Sequence, residues 1–209
     1  MPTFPRATDA KPRLITMPVF PSSLSAWSFS GKGQFRAVQN MGRVWQEVYP
    51  NMRISLNSVR ALLEAINEGL RGGLVWDVQH LALLTTLGIG GGTPLVNGAG
   101  QTGSNLNIDG CGNNKTPYLR RGDLIQVTGC AVVFDVTADC NSNGSGQTVV
   151  PINPPIFAGK SPADNAAVTL APSINFKAVL TLDSGFPQID VPAGIMLAGL
   201  TLNWREQPQ

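Results

Sequence analysis

The C-terminal stretch Ile195-Met-Leu-Ala-Gly-Leu-Thr-Leu-Asn-Trp204 carries the pattern that decides the fold. Its apolar residues recur with a period of two, which is typical of a β-strand with one buried face. The residues of that face are Met196, Ala198, Leu200, Leu202 and Trp204. A strand needs hydrogen-bonding partners. Outside the block of residues 90–164, which differs in composition, the nearest candidate strands lie around residues 30–80. We therefore predict that the two ends of the chain form one β-rich domain.

Other segments support this domain. Residues 174–182 form a second run with a two-residue period, and residues 33–49 are mostly strand-like until Pro50 breaks the pattern. Residues 55–71 predict a helix that begins with Ser55 as N-cap and ends before Gly72-Gly73. A short strand is predicted at 74–78. The apolar stripe of the helix, which we expect to pack on a sheet from one side, consists of Leu56, Val59, Leu62, Leu63, Ile66 and Leu70.

The block between these segments differs in composition, being rich in Gly, Asn and Pro from residue 90 to 164. It contains short strand patterns at 123–127, 132–137 and 147–152, with a fourth at 167–170, separated by turn residues. Short strands at this spacing favour a small antiparallel β-barrel. We predict a mainly β (α+β) protein: a scaffold of residues 31–92 and 171–209 with one flanking helix, and an inserted β domain at 93–170.

The N-terminal residues 1–30 contain five prolines and are predicted to form an extended arm. We expect this arm to lie across a neighbouring subunit instead of folding on its own chain.

Composition excludes several classes of function. Only 13% of the residues are charged, which suggests that much of the surface is covered in an assembly. The net charge of +2 is not clustered, so nucleic-acid binding is not expected. No apolar run is long enough for a membrane span, and the N-terminus lacks the apolar core of a signal peptide. The three cysteines, Cys111, Cys130 and Cys140, favour reduced thiols over a zinc site or a disulfide framework.

Two loop motifs could suggest a ligand. Residues 98–103 match GxGxxG, the dinucleotide fingerprint, but no helix follows, as that site requires. Residues 139–144 match the first half of an EF-hand loop, but Val150 occupies the position of the bidentate Glu. We interpret the first as a loop and the second as a turn stabilised by asparagine side chains.

No catalytic, cofactor-binding or metal-binding residue is predicted. His80 is the single histidine and has no partner for a hydrolytic triad. Asp135 and Asp139 could share a face, but no further ligand accompanies them. The four tryptophans, Trp27, Trp45, Trp76 and Trp204, are interpreted as core or interface anchors.

A series of segments in order resembles the tail-tip proteins of long-tailed bacteriophages, in particular the distal tail protein family and its baseplate relatives. The segments lie at residues 62–77, 92–103, 119–123, 137–139, 144–146, 154–156 and 162–168. The resemblance covers about residues 30–204. It implies a split β-barrel with a flanking helix, a fold shared with tail-tube proteins, interrupted by a small β domain. It also implies a hexameric ring that joins the tail tube to the hub.

The expected function is therefore that of a structural virion protein, made in the bacterial cytoplasm and assembled into a homo-oligomeric ring with tail-tube and hub proteins as partners. The alternative is a soluble module that binds carbohydrate or peptide through the inserted domain. An enzyme is not expected.

Overall fold

The computed structural model of the protein describes residues 2–6, 11–16, 18, 24–27, 33–36, 42–53, 57–181, 188–190 and 196–207. These residues are mainly β with one α-helix, as predicted. None of the helical structure in these ranges has the length and hydrophobicity needed to cross a bilayer. The helix is α1 (Asn57–Gly72). The strands, in chain order, are β1 (Leu14–Ile15), β2 (Leu24–Trp27), β3 (Gly33–Arg36), β4 (Val44–Val48), β5 (Met52–Arg53), β6 (Val75–Val78), β7 (Leu95–Val96), β8 (Gly103–Asp109), β9 (Leu124–Val127), β10 (Val133–Val136), β11 (Thr148–Ile156), β12 (Val168–Leu170), β13 (Phe176–Thr181), β14 (Gln188–Asp190), β15 (Met196–Ala198) and β16 (Thr201–Glu206).

The chain divides into two compact units. The first comprises residues 1–78 and 177–208, and the second comprises residues 79–176. The second unit contains the whole of 93–170 and extends beyond that range at both ends.

The first unit is built on a five-stranded sheet in the order β1-β4-β16-β13-β6. The C-terminal strand β16 lies in the middle and pairs antiparallel with β4 on one side and β13 on the other. Smaller sheets combine β14, β15 and β5, and β2 with β3. The pairing of β16 with β4 therefore connects residues that are more than 150 positions apart in sequence.

One face of the five-stranded sheet is buried. The register places Trp204 opposite Trp45 on one side and Leu180 on the other, and all three are buried. The indole rings of Trp45 and Trp204 stack with their centroids 6.2 Å apart. Alternate residues of each strand point to this face, as the two-residue period predicts.

The prediction of one continuous strand over 195–204 is wrong, because the chain breaks after Ala198. Gly199 has φ of +63°, a conformation that glycine adopts without strain and that interrupts the pleat. The residues before the break belong to β15 in the three-stranded sheet, and those after it belong to β16. Leu200, Leu202 and Trp204 are buried as predicted, and the side chains of 195–198 lie outside the described residues.

The described residues 2–6 and 14–15 of the N-terminal segment pack on their own chain, which contradicts for them the expectation that the arm would lie on a neighbour. Residues 2–6 run along β6, where Phe4 N donates to Asp77 O at 3.1 Å and Asp77 N donates to Pro2 O at 3.1 Å. The ring of Phe4 contacts Trp76 and Trp204 edge to face, with centroids 5.5 and 4.7 Å apart. Further along, β1 pairs with β4. Proline excludes helix from this arm, but its extended backbone can still add to a sheet.

Two carboxylates lie inside this aromatic core. Glu206 accepts hydrogen bonds from Arg43 N at 3.1 Å and from Arg43 Nη1 at 3.0 Å, and both side chains are buried. Glu47 is also buried, and it accepts from Arg6 Nη2 and from Tyr49 Oη at 3.0 Å. Burial and the nearby Glu47 charge raise the pKa of Tyr49 well above its usual range. A buried charge is tolerated only when it is paired, so these contacts determine where the arm must lie.

Helix α1 packs against the buried face through Val59, Leu62, Ala65, Ile66 and Gly69. A Cβ at Gly69 would lie 2.9 Å from Trp76 Nε1, so this position permits close approach of the helix to β6. Leu63 and Leu70, which the predicted stripe included, are only half-buried. The predicted N-cap Ser55 and Leu56 lie outside the described residues.

The second unit is a nearly closed antiparallel barrel with the strand order β12-β9-β10-β11-β8-β7. Its first and last strands meet where Val168 N donates to Pro94 O and Val96 N donates to Ala166 O, both at 2.9 Å. The interior is filled by aliphatic and aromatic side chains, including Leu106, Ile125 and Phe134. Of its strands, β9 to β12 follow the predicted pattern within a few residues.

The sequence analysis missed β8. The sequence predicted no helix over residues 103–109. It predicted no strand there either, because the Gly, Ser, Asn and Asp residues of this stretch are poor strand formers. They form a strand because Leu106 and Ile108 point into the barrel and the backbone pairs with β11.

Replacing Phe4 by alanine is expected to destabilise the first unit by about 3–5 kcal/mol, because it empties the space between two buried tryptophans. Leu14 is the matched control, since it lies in the same arm and is 55% exposed. Leu14→Ala should change the free energy of unfolding by less than about 0.5 kcal/mol. Urea denaturation followed by tryptophan fluorescence measures both. Equal stability of the two variants would show that Phe4 does not occupy the core.

Ile66→Ala in α1 is expected to cost about 2–5 kcal/mol, because Ile66 is fully buried against the sheet. Glu64→Ala, on the exposed side of the same helix, should cost only tenths of a kcal/mol. Thermal unfolding by circular dichroism compares them, and similar melting of the two variants would mean that the buried face of the helix has been assigned incorrectly.

Candidate functional site

The loop that matches GxGxxG organises one edge of the barrel. Residues 98–103 connect β7 to β8, so the strand-to-helix junction of a dinucleotide site is not formed. Gln101 is the central residue of this loop. Its Nε2 donates to the carbonyls of Asn97, Gly98 and Asn107 at 3.0–3.1 Å, and its Oε1 accepts from Asn107 N. One amide side chain thereby fixes the backbone of Asn97 and Asn107 side by side.

The loop that resembles half an EF-hand is a turn stabilised by asparagine, as interpreted from the sequence. Asn143 Oδ1 accepts from Ser145 N and Gln147 N, both at 2.9 Å. Val150 points into the barrel, where it cannot reach a cation. Asp139 accepts a hydrogen bond from Arg121 N at 2.9 Å. Among the described residues, no group of three or more His, Cys, Asp or Glu is placed to hold a metal ion.

Residues that flank the first loop and residues of the second loop line the same cleft. The cleft has a volume of about 390 Å³ and is open to solvent. Its polar lining consists of Asn97, Asn107, Asn141, Asn143, Gln147 and Thr148. The rest of the lining is aliphatic, from Ile108 and Val149, and none of the described residues that line it is charged. The sequence patterns of the two loops did not predict this shared cleft.

A second feature of the barrel is the exposed aliphatic segment, residues 87–91. Leu87 and Ile89 are 62% and 59% exposed, among the few large apolar side chains of the described structure that face solvent. Water contact with these side chains is unfavourable by about 1.5–3 kcal/mol each relative to burial. Exposed aliphatic groups in close succession indicate a contact surface more strongly than scattered ones do.

The backbone of this segment is held along its length. Asp123 is buried, and its carboxylate accepts from Leu87 N and from Gly88 N at 3.0 Å. Ile89 N donates to Pro117 O at 3.1 Å, and Gly90 N donates to Tyr118 O at 2.9 Å. A Cβ at Gly88 would lie 2.4 Å from Tyr118 O, so only glycine fits there. A segment held in this way loses little conformational entropy when a partner covers it.

Leu87 and Ile89 were not among the candidate residues predicted from the sequence. The signal available was a pair of large aliphatic residues in a stretch otherwise rich in glycine, which has no strand or helix periodicity to bury them.

The structure also locates the remaining sequence candidates. His80 is buried, and its ring lies edge to face with Phe176 at 6.3 Å. Trp45, Trp76 and Trp204 are core residues, and the side chain of Trp27 lies outside the described residues. Asp135 is half-buried on β10, and Asp139 is exposed beyond it.

The three cysteines are free thiols in the barrel interior. Burial raises the pKa of Cys111 from 9.0 to about 11, and it also raises the pKa of Cys130 and Cys140. A thiol in this state is a weak nucleophile at neutral pH, so these residues serve packing.

Comparison with known proteins adds no assignment. A scan of the chain against protein-family models finds no match, and a search of curated protein sequences finds none either.

The raised thiol pKa values predict a loss of stability in alkali. Between the unfolded pKa of 9.0 and the folded value of about 11, the unfolded chain releases the Cys111 proton and the folded chain keeps it. The free energy of unfolding therefore falls as pH rises through this window and does not respond to this thiol below it. Urea midpoints measured from about pH 7.5 to about pH 10.5 test this. The Cys111→Ala variant should show a shallower decline, and an equally steep one would exclude Cys111 as a source.

Proposed function

We propose that this chain is a structural subunit of a bacteriophage tail tip, in which copies form a ring that joins the tail tube to the hub. The family resemblance of the ordered segments suggests this location and a ring of six. A tail-tube-like split β-barrel, formed by the first unit, is part of the same proposal. In it the protein is made in the host cytoplasm and functions in the virion.

The observation that carries the assembly part of the proposal is the exposed aliphatic segment. Its two large side chains, Leu87 and Ile89, are displayed on a backbone held by Asp123. The proposed occupant is a second copy of this chain, because a low charge content (13%) limits mutual repulsion between copies and leaves much surface to be covered. A contact between two different surfaces of identical subunits closes into a ring when the rotation per subunit divides the circle. A permanent contact of this kind needs about 1,000 Å² or more.

Leu87→Ser combined with Ile89→Ser is expected to prevent assembly without unfolding the subunit. Loss of two buried aliphatic groups removes about 3–6 kcal/mol from each contact. The control is Val149→Ser, which removes another exposed aliphatic side chain (52%) of the same barrel. Native mass spectrometry and light scattering give the copy number, and circular dichroism checks the fold.

The wild type and the control should have the mass of a closed ring, and the double variant should have the mass of one subunit. A monomeric wild type, or a double variant that assembles like the wild type, would refute this contact. Cryo-electron microscopy of the wild-type particle then tests whether the ring encloses an axial channel.

A further inference from the structure

We propose that the amide-lined cleft of the barrel binds a neutral, hydroxyl-rich ligand, namely a short stretch of an uncharged polysaccharide. This inference goes beyond the structural role proposed above and does not depend on it. It begins with a cleft to which two parts of the barrel contribute. Asn97 and Asn107, which flank the loop at 98–103, line it together with Asn141 and Asn143 of the turn at 139–144.

The cleft offers exposed side-chain amides. The side chains of Asn97, Asn107 and Asn141 are exposed, and none of them makes a hydrogen bond to another described residue. In contrast, the amide of Asn143 is engaged by the turn, where its Nδ2 approaches Gln147 Oε1 at 3.4 Å. Each free amide presents one acceptor and two donor hydrogens.

The free amides stand on a fixed backbone. Asn97 N donates to Asn107 O at 2.9 Å, and Gln101 bonds the main chain of both residues. On the other side, Asn143 N and Gln147 O pair at 2.9 Å and close the turn beside Asn141. The arrangement therefore holds the main chain while leaving the side-chain amides available, which lowers the entropic cost of binding.

The chemistry of the lining selects the class of ligand. A sugar hydroxyl is both donor and acceptor, and an amide is its complement in both respects. Val149, which is 52% exposed, adds an apolar surface for the C–H groups of a sugar ring. Because the described lining of the cleft offers no aromatic ring for stacking, we expect weak affinity, with Kd in the range of about 0.1–10 mM.

Other ligand classes fit this cleft less well. A nucleic acid or a nucleotide would require cations for its phosphates, and no Lys or Arg is found among the described residues that line the cleft. An extended peptide would require a free strand edge, but β8 lies between β11 and β7 in the sheet. At the cleft itself, Val149 is paired with Asn107 and Thr148 with Ile108.

The test is a titration of the full-length, isotope-labelled protein followed by the NMR signals of its side-chain amides. The probes are maltotetraose, cellotetraose, chitotetraose and a β-galactan tetrasaccharide, each to about 20 mM. Tri-galacturonate, adenosine monophosphate and a tetra-alanine peptide are the comparison ligands. We expect at least one neutral oligosaccharide to shift the amide signals of Asn97, Asn107 and Asn141 in a saturable way.

Asn107→Ala should weaken that binding by about tenfold, corresponding to the loss of about 1.4 kcal/mol. Asn105→Ala is the matched control, since Asn105 is an exposed asparagine two residues away on β8 that does not line the cleft. The Asn105→Ala variant should bind the oligosaccharide with the same Kd as the wild type. Because both side chains are exposed, both variants should keep the wild-type fold, which the backbone NMR spectrum verifies.

Three results would overturn the inference. The first is that none of the neutral oligosaccharides shifts these signals. The second is that Asn107→Ala and Asn105→Ala bind alike. The third is that a comparison ligand occupies the cleft while the neutral probes do not. Assembly of the Leu87 and Ile89 variants does not enter any of these measurements, so the two proposals succeed or fail separately.

Discussion

The pairing of β4 with β16 is the constraint on which the first unit depends. The two strands come from opposite ends of the chain, and their contact buries Trp45 against Trp204 and Arg43 against Glu206. A Cβ at Gly42 would lie 1.8 Å from Glu206 O, so the chain must carry glycine where the strands meet. Removing one partner of a buried ion pair costs about 3–5 kcal/mol, which makes misalignment of these strands unfavourable.

This pairing has consequences for the rest of the chain. Because β16 occupies the middle of the sheet, β13 lies on its other side, with β6 as the next strand. The chain thus leaves the first unit after Val78 and returns at Lys177, on strands that are neighbours. The second buried carboxylate, Glu47, is paired through Arg6, which requires the N-terminal segment to lie on the same body. The position of the arm follows from electrostatics and from the packing of Phe4.

In the barrel, single polar side chains organise the loops that carry the proposed activities. Asp123 accepts from three main-chain N–H groups, those of Leu87, Gly88 and Arg120. Gln101 likewise fixes main-chain groups on one side of the cleft. Asn143 does the same in the turn on the other side. Buried main-chain groups in loops need such partners, and a loop that has them can display side chains in fixed positions. The low charge content suits both proposed activities, contact between copies and recognition of an uncharged ligand.

Local patterns were sufficient for much of the fold. The period of 3.6 predicted α1, and the period of two predicted β13 and the buried residues of β16, because these periods reflect backbone geometry directly. Turn residues likewise located β9 to β12. The same patterns failed at 103–109, where Gly, Ser, Asn and Asp hide a strand that is stabilised mainly by its pairing with β11.

For the candidate site, the residue types were enough to identify the chemistry of each loop and to argue against a dinucleotide and a calcium ion as ligands. They showed that no helix follows the glycine-rich loop and that Val150 replaces the carboxylate a calcium loop needs. Tertiary contacts bring the residues that flank the loop at 98–103 and the turn at 139–144 to one cleft. They also place Phe4 in the core and leave Leu87 and Ile89 facing solvent. The physical reason is that periodicity and turn chemistry act over a few residues, whereas these features arise from contacts between residues about 35 to 200 positions apart, which no local pattern encodes.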